Sequence, residues 1–173
     1  METILVVEDK ESLRTVLRKT LESEGFTVAE AADVPEAARL LREHRCALVL
    51  SDLRLPGGSG HDVLKAALES DPHLPVIVMT AYGTVEDAVL AMKQGATDFL
   101  CKPVDPAHLL VIARRELSRR RLVTENILLK DELARRVGLP QVVGESPALK
   151  ALISQLRKVA ATAATVLLQG ESG

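Results

Sequence analysis

Four short apolar runs in this chain each end in a reactive polar residue, and few folds accommodate that arrangement. Ile4-Leu5-Val6-Val7 runs into Glu8-Asp9, and Ala47-Leu48-Val49-Leu50 runs through Ser51 into Asp52. Val76-Ile77-Val78-Met79 runs into Thr80, and Phe99-Leu100-Cys101 into Lys102-Pro103. Short runs rich in β-branched residues read as strands buried on both faces of a parallel sheet. Ligands of open α/β sheets bind at the carboxyl ends of the strands. The four polar ends are therefore expected to converge on one spot.

The intervening segments read as helices. Leu13, Val16, Leu17 and Leu21 give a helical period over Glu11–Glu24, closed by Gly25. Phe26–Ala31 is a further strand, and Asp33-Val34-Pro35 opens a helix carrying Ala37, Ala38, Leu40 and Leu41. Pro56-Gly57-Gly58-Ser59-Gly60 is expected to be a loop before a helix over Val63, Leu64, Ala67 and Leu68, which Asp71-Pro72 ends. Thr84, with Asp87 three residues on, can cap a helix over Ala88, Val89 and Met92 that runs to Gly95. Five β-α units predict a doubly wound, flavodoxin-like parallel sheet.

The last helix does not stop where a compact domain should. From Pro106 no Gly or Pro appears until Gly138-Leu139-Pro140, so a continuous helix to Val137 would be roughly 45–50 Å long at 1.5 Å per residue. Leu122, Asn126, Leu129 and Leu133 follow the spacing of a coiled-coil seam, and an Asn at one such position fixes register in a dimer. Past Pro140, Ser146-Pro147 supplies an N-cap and a first helical residue for a helix over Leu149, Leu152, Ile153, Leu156 and Val159. Thr165-Val166-Leu167-Leu168-Gln169 then reads as a strand leading into Gly170-Glu171-Ser172-Gly173, the way a phosphate-binding loop begins.

Composition bounds the rest. The chain has 173 residues, 47% of them hydrophobic, enough for one full domain plus a fragment. Aromatics are 2%, so aliphatic side chains must fill the core. A net charge of −2 exerts no general pull on nucleic acid or anionic membrane. Cys46 and Cys101 form no CxxC and are expected as small buried residues in a reducing cytoplasm. Acidic residues soon after the initiator argue against a signal peptide, and no apolar stretch approaches the ~20 residues of a membrane span. His44, His61, His73 and His108 show no metal or catalytic spacing.

Glu8, Asp9 and Asp52, if brought together, would repel one another by about 4 kcal/mol per pair at ~4 Å and an effective dielectric of ~20. Such a cluster demands a cation, and hard carboxylate oxygens suit Mg²⁺, which can also neutralise an incoming phosphoryl group. Asp52, on the middle strand, is best placed as nucleophile. Lys102 supplies positive charge for phosphoryl oxygens and Thr80 a hydroxyl donor, which is most of what phosphoryl transfer requires.

The set Glu8-Asp9, Asp52, Thr80-Ala81 and Lys102-Pro103 resembles a response-regulator receiver domain, over residues 1 to about 120. The resemblance implies that Asp52 accepts a phosphoryl group from a sensor histidine kinase. It implies Mg²⁺ on Asp9, Asp52 and the backbone carbonyl of Arg54, with Glu8 acting through water. Thr80 and Phe99 become the switch pair, and the Lys102-Pro103 peptide is expected to be cis. Glu8, where Asp is commoner, and Ser59, where an acid is frequent, are mild departures. Arg54 and Tyr82 flank the acyl phosphate in this family, and a bulky Tyr82 there predicts a long phosphate lifetime.

Val143-Gly144-Glu145-Ser146-Pro147, Leu167-Leu168-Gln169 and Gly170-Glu171-Ser172-Gly173 resemble the opening of the AAA+ module of sigma-54-dependent transcriptional activators. The last four residues would begin a Walker A loop, without the Lys that grips phosphate. The chain is thus expected to be a fragment: receiver over 1–118, helical coiled-coil linker over 119–139, and the start of an AAA+ ATPase domain over 140–173. It is not expected to be an enzyme itself, with ATP relevant only to the full-length protein. The implied partners are the kinase, a second copy through the linker, and sigma-54 RNA polymerase and DNA through downstream domains. Phosphorylation would govern dimerisation, ring assembly and transcription, in the cytoplasm.

Two rivals stand beside this reading. A haloacid-dehalogenase-like phosphatase would want an Asp two residues after Asp52, where Arg54 stands. A purely structural dimerisation module has no need of the intact acidic set. A dinucleotide-binding domain is disfavoured, because no GxGxxG follows the first strand.

Overall fold

The structure, a computed structural model, describes residues 2–81, 85–136, 146–159 and 165–167. Two compact units divide the chain, Met1–Leu129 and Lys130–Gly173.

In the first unit, strands β1 (Thr3–Val7), β2 (Thr27–Ala31), β3 (Cys46–Asp52), β6 (Val76–Thr80) and β7 (Asp98–Cys101) form one parallel sheet in the order β2-β1-β3-β6-β7. The flavodoxin-like expectation holds. Ile4, Leu5, Val6 and Val7 are all fully buried, because alternate residues of β1 feed two separate cores. Leu5 and Val7 pack with residues of α2 (Val34–Glu43), α3 (Gly60–Ser70) and α4 (Val85–Lys93). Ile4 and Val6 pack with Leu17 and Leu21 of α1 (Glu11–Glu22), and with Leu109, Ile112 and Leu117 of α5 (Pro106–Arg136). A central strand with no polar face has no other stable place than between two helical layers.

Local chemistry sets the helix ends. Asp33 caps α2 by accepting from the Glu36 N–H at 2.8 Å, and Pro35 occupies the first turn. Asp62 accepts from the Ser59 N–H at 2.8 Å at the start of α3, and this bond holds its carboxyl below the usual carboxylate range. Gly95, with φ of 104°, lets the chain turn out of α4.

Four expectations need correction. Residues 56–60 are not a plain loop: β5 (Gly58–Ser59) pairs antiparallel with β4 (Arg54–Leu55) about a turn in which Gly57 takes φ of 72°, and Gly60 already belongs to α3. Only Gly readily supplies that conformation at the third position of a tight turn. Val16 is 51% exposed, because it lies about 100° round α1 from the buried Leu17. In α4 the inward positions are the small Ala88 and Ala91, while Val89, Leu90 and Met92 are exposed. Cys46 is buried as expected, but Cys101 is exposed at the end of β7. The Thr84 cap lies outside the described residues.

Helix α5 runs for 31 residues, about 45 Å. Leu117 is its last buried residue among those described. One turn on, the Arg120 guanidinium donates to the Cys46 carbonyl at 2.5 Å and to Asp71 Oδ2 at 2.6 Å. Leu122 and Leu129 are 66% and 52% exposed, and Asn126 is exposed too. At about 100° per residue these three lie 120–180° round the helix from Leu117, on the side away from the core. The side chain of Leu133 lies outside the described residues.

In the second unit, α6 spans Pro147–Val159, with the Ser146 hydroxyl accepting from the Leu149 N–H at 3.2 Å. Thr165, Val166 and Leu167 are exposed and form no strand. A strand needs a neighbour to satisfy its backbone, and none pairs with them among the described residues. Gly170, Glu171, Ser172 and Gly173 lie outside the described residues. No helix among those described is long and apolar enough to cross a membrane.

Candidate phosphoacceptor site

The carboxyl ends of β1, β3, β6 and β7 do converge. Glu8 follows β1 and is fully buried, Asp52 ends β3 at 7% exposure, and Thr80 ends β6 at 5%. Carboxylate oxygens of Glu8, Asp9 and Asp52 lie within 4.8 Å of one another. Lys102, just past β7, donates from Nζ to Glu8 Oε2 and to Asp52 Oδ2, each at 2.6 Å. Its backbone N–H is fixed to the Thr80 carbonyl at 2.7 Å, so β6 holds the lysine in register. The Lys102-Pro103 peptide is cis.

Asp52 is held on several sides. Its Oδ1 accepts from the Arg54 N–H at 3.2 Å, its carbonyl accepts from the Ser51 hydroxyl at 3.0 Å, and the Leu53 N–H bonds the Met79 carbonyl at 2.8 Å. A Cβ on Gly60 would collide with the Asp52 carbonyl and the Leu53 Cα. Glycine at the start of α3 is what lets that helix close on the strand end.

The electrostatics are those of a site short of positive charge. Burial pushes the Glu8 carboxyl above its ordinary value, Asp52 adds to the rise, and the hydrogen bond and charge of Lys102 only partly offset it. Burial works against the charge on Lys102, but its hydrogen bonds to Asp52 and Glu8 prevail and raise its value. Three hard carboxylates around one point, one of them at the solvent edge, fit Mg²⁺. A softer metal would call for His or Cys, and neither joins this group.

Of the remaining residues singled out from sequence, those described lie at the rim. Phe99 is 39% exposed on β7, paired in register with Val78. Ala81, Arg54 and Pro103 are exposed around the mouth. Tyr82 lies outside the described residues. One surface cavity, of about 520 Å³ and lined by Thr3, Cys46, Leu117 and Leu128, sits at the opposite end of the sheet.

Sequence reasoning missed Arg14, whose Nη1 donates to the Glu8 carbonyl at 2.6 Å, and the Arg120 tie at the far end of β3. Neither lies at a strand end, the only positions that the apolar runs mark out.

A doubly wound five-stranded sheet, with an acidic trio, a hydroxyl and a lysine at its carboxyl edge, defines a phosphoacceptor signalling module. The response regulator receiver domain family matches residues 4–114, and the chain belongs to that family. It is 37% identical over 172 residues to the C4-dicarboxylate transport transcriptional regulatory protein DctD of Rhizobium meliloti, covering 99% of this chain and 37% of that protein. It is 39% identical over 170 residues to the alginate biosynthesis transcriptional regulatory protein AlgB of Pseudomonas aeruginosa, covering 98% and 37%. NtrX from Brucella abortus, solved with ATP, superposes with a TM-score of 0.70 at 30% identity, covering 91% of this chain and 34% of that one. A CheY-like receiver from Methanospirillum hungatei gives 0.67 at 29% identity, covering 70% and 97%. The chain spans a little over a third of the length of the regulatory proteins it matches.

Proposed function

We propose that this chain is the phosphoacceptor and linker portion of a sigma-54-dependent two-component activator. In this reading residues 1–118 are the receiver, 119–139 the linker, and 140–173 the opening of an AAA+ ATPase domain. The observation that carries it is the double contact of Lys102 Nζ with Asp52 and Glu8, beside the open carboxylate of Asp9. The matched relatives named as transcriptional regulatory proteins support the class of output.

Asp52 attacks the phosphorus of a phosphohistidine on the sensor kinase. A P–O bond forms as the P–N bond breaks, and the electron pair stays on the imidazole, which takes up a proton. Asp9, Asp52 and the Arg54 carbonyl would hold Mg²⁺, with Glu8 contributing through water; when bound, the ion neutralises carboxylate and phosphoryl charge. Lys102 transfers its contact from the carboxylates to the phosphoryl oxygens, and the Thr80 hydroxyl donates to one of them. Drawing Thr80 inward leaves room for Phe99 to follow, which biases the exposed β7–α4 face between two states. The Leu122–Asn126–Leu129–Leu133 seam carries that bias to a second copy, and so to ATPase ring assembly and transcription by sigma-54 polymerase.

Incubation with acetyl phosphate and Mg²⁺, read by intact mass, tests the core of this reading. A single phosphoryl adduct is expected, absent in Asp52→Asn. Absence of any adduct on the folded wild type would favour the structural module, and steady release of phosphate from a generic phosphomonoester would favour a phosphatase.

A further inference from the structure

We propose that Arg14 is a positioning residue for the acidic pair Glu8-Asp9, setting the affinity of the pocket for its divalent cation. The inference rests on the reading of Asp52 as a Mg²⁺-assisted phosphoacceptor.

Arg14 stands at the end of the first turn of α1, and its side chain is 17% exposed. Nη1 donates to the Glu8 carbonyl at 2.6 Å and reaches the Asp9 carbonyl at 3.4 Å. Nε lies 3.5 Å from Glu30 Oε1 on β2, whose backbone pairs in register with Val6 of β1. One guanidinium thus spans a helix, the loop that carries two acids, and the neighbouring strand. Only a planar fork with several donors in fixed directions can do this.

The loop depends on that bridge. Its first peptide is secured on the donor side, where the Glu8 N–H bonds the Ala31 carbonyl at 3.1 Å. On the acceptor side, Arg14 is the partner of the Glu8 and Asp9 carbonyls. The Glu8 carboxylate has Lys102 to orient it. Asp9 is different: its carboxylate makes no hydrogen bond among the described residues, and it is exposed. The direction of that carboxylate is therefore set by the backbone beneath it, and Arg14 holds that backbone. Groups that orient metal ligands from behind typically change metal affinity by about 10–100-fold when removed.

The test uses the full chain as wild type, Arg14→Gln, Arg14→Lys and Glu30→Gln. Mg²⁺ is titrated by calorimetry, and initial labelling by acetyl phosphate is followed at saturating Mg²⁺. Arg14→Gln is expected to weaken Mg²⁺ binding by about tenfold. Arg14→Lys, which keeps the charge but not the fork, and Glu30→Gln should fall between it and the wild type. Labelling at saturating Mg²⁺ should change much less, since Arg14 touches none of the reacting atoms. A folded Arg14→Gln with wild-type Mg²⁺ affinity overturns the inference, even if its melting temperature drops, because that pattern marks a structural tie alone. Should Arg14→Gln fail to fold, unchanged affinity in both Arg14→Lys and Glu30→Gln overturns it equally. A wild type that neither binds Mg²⁺ nor takes up phosphoryl brings down the underlying reading instead.

Discussion

Lys102 Nζ lies 2.6 Å from Asp52 Oδ2 although the two residues are 50 positions apart, and the same ammonium lies 2.6 Å from Glu8 Oε2. One cation therefore serves two acids, one of them fully buried. Lys102→Met leaves both acids without it. Truncating one partner of a buried ion pair costs about 3–5 kcal/mol, and the slight solvent access here puts the expected loss near the lower end. Mg²⁺ should recover part of it, since a divalent ion can take over the same charge. Urea unfolding with and without Mg²⁺ measures both effects. A variant as stable as the wild type in metal-free buffer would show that the double contact does not matter energetically.

Glu8 gives the metal-free protein a pH dependence of defined sign. Its carboxyl is raised above the ordinary 4.5 by burial, so between that value and its folded one the native state holds more protons than the unfolded chain. Stability from this group is fully present below pH 4.5 and is lost as pH rises through the folded value. Urea midpoints from pH 4 upward should fall in wild type relative to Glu8→Gln, and Mg²⁺ should flatten the difference. Parallel curves for the two proteins would contradict the assignment. Lys102 acts at the other extreme: its raised value keeps its contribution intact below 10.5, and the contribution disappears as pH climbs through the folded value.

Gly60→Ala places a methyl group against the Asp52 carbonyl and the Leu53 backbone, where neither neighbour is a flexible side chain. Backbone must shift, at a cost of about 1–3 kcal/mol, as for overpacking elsewhere. Because the shift falls on Asp52, the proposed phosphoacceptor, the labelling rate by acetyl phosphate should drop together with stability. Wild-type behaviour in both assays would mean that α3 can back away freely.

Arg120→Ala cuts the hydrogen-bonded tie between α5 and the start of β3. Beyond Leu117 no described residue of the helix is fully buried, only Arg120 and Val123 being half-buried, and a poorly supported helix end is marginal in water. Amide exchange over residues 118–129 should quicken in this variant, and Asp71→Ala should produce part of the same effect. A double-mutant cycle between the two should show coupling on the order of 1 kcal/mol. Additive effects would place the anchor elsewhere.

Leu122→Glu and Leu129→Glu put charge on the exposed side of α5, where the proposed dimer seam lies, without touching the receiver core. On the proposed reading, sedimentation with and without beryllofluoride should show a wild-type dimer in one of the two states and both variants monomeric there; a wild type monomeric in both would contradict the seam. Dimers that survive both changes would move the interface off α5.

Much of this molecule could be read from residue order alone. The alternation of buried strands and amphipathic helices gave the sheet and its layers, because a strand such as Ile4–Val7 with no polar face admits only burial on both sides. The same runs marked Asp52, Thr80 and Lys102, since a polar residue that ends a buried strand must emerge at the sheet's edge. What escaped were features set by direction or by distant partners. Val16 and Cys101 are apolar or small by type, yet their angular positions turn them to solvent. The hairpin at residues 54–59 hides in a stretch that looks like loop, because two-residue strands carry no periodicity.

Arg14 and Arg120 illustrate the division most clearly. As types they are ordinary helix-surface arginines, and nothing in their spacing separates them from Arg18 or Arg119. Their roles depend on carbonyls, those of Glu8 and Cys46, that every residue possesses and that become acceptors only once the chain has folded beneath them. Side-chain chemistry and hydrophobic periodicity are local and written in the sequence. Which backbone group lies under which guanidinium is a property of three-dimensional packing, and tertiary structure alone decided it.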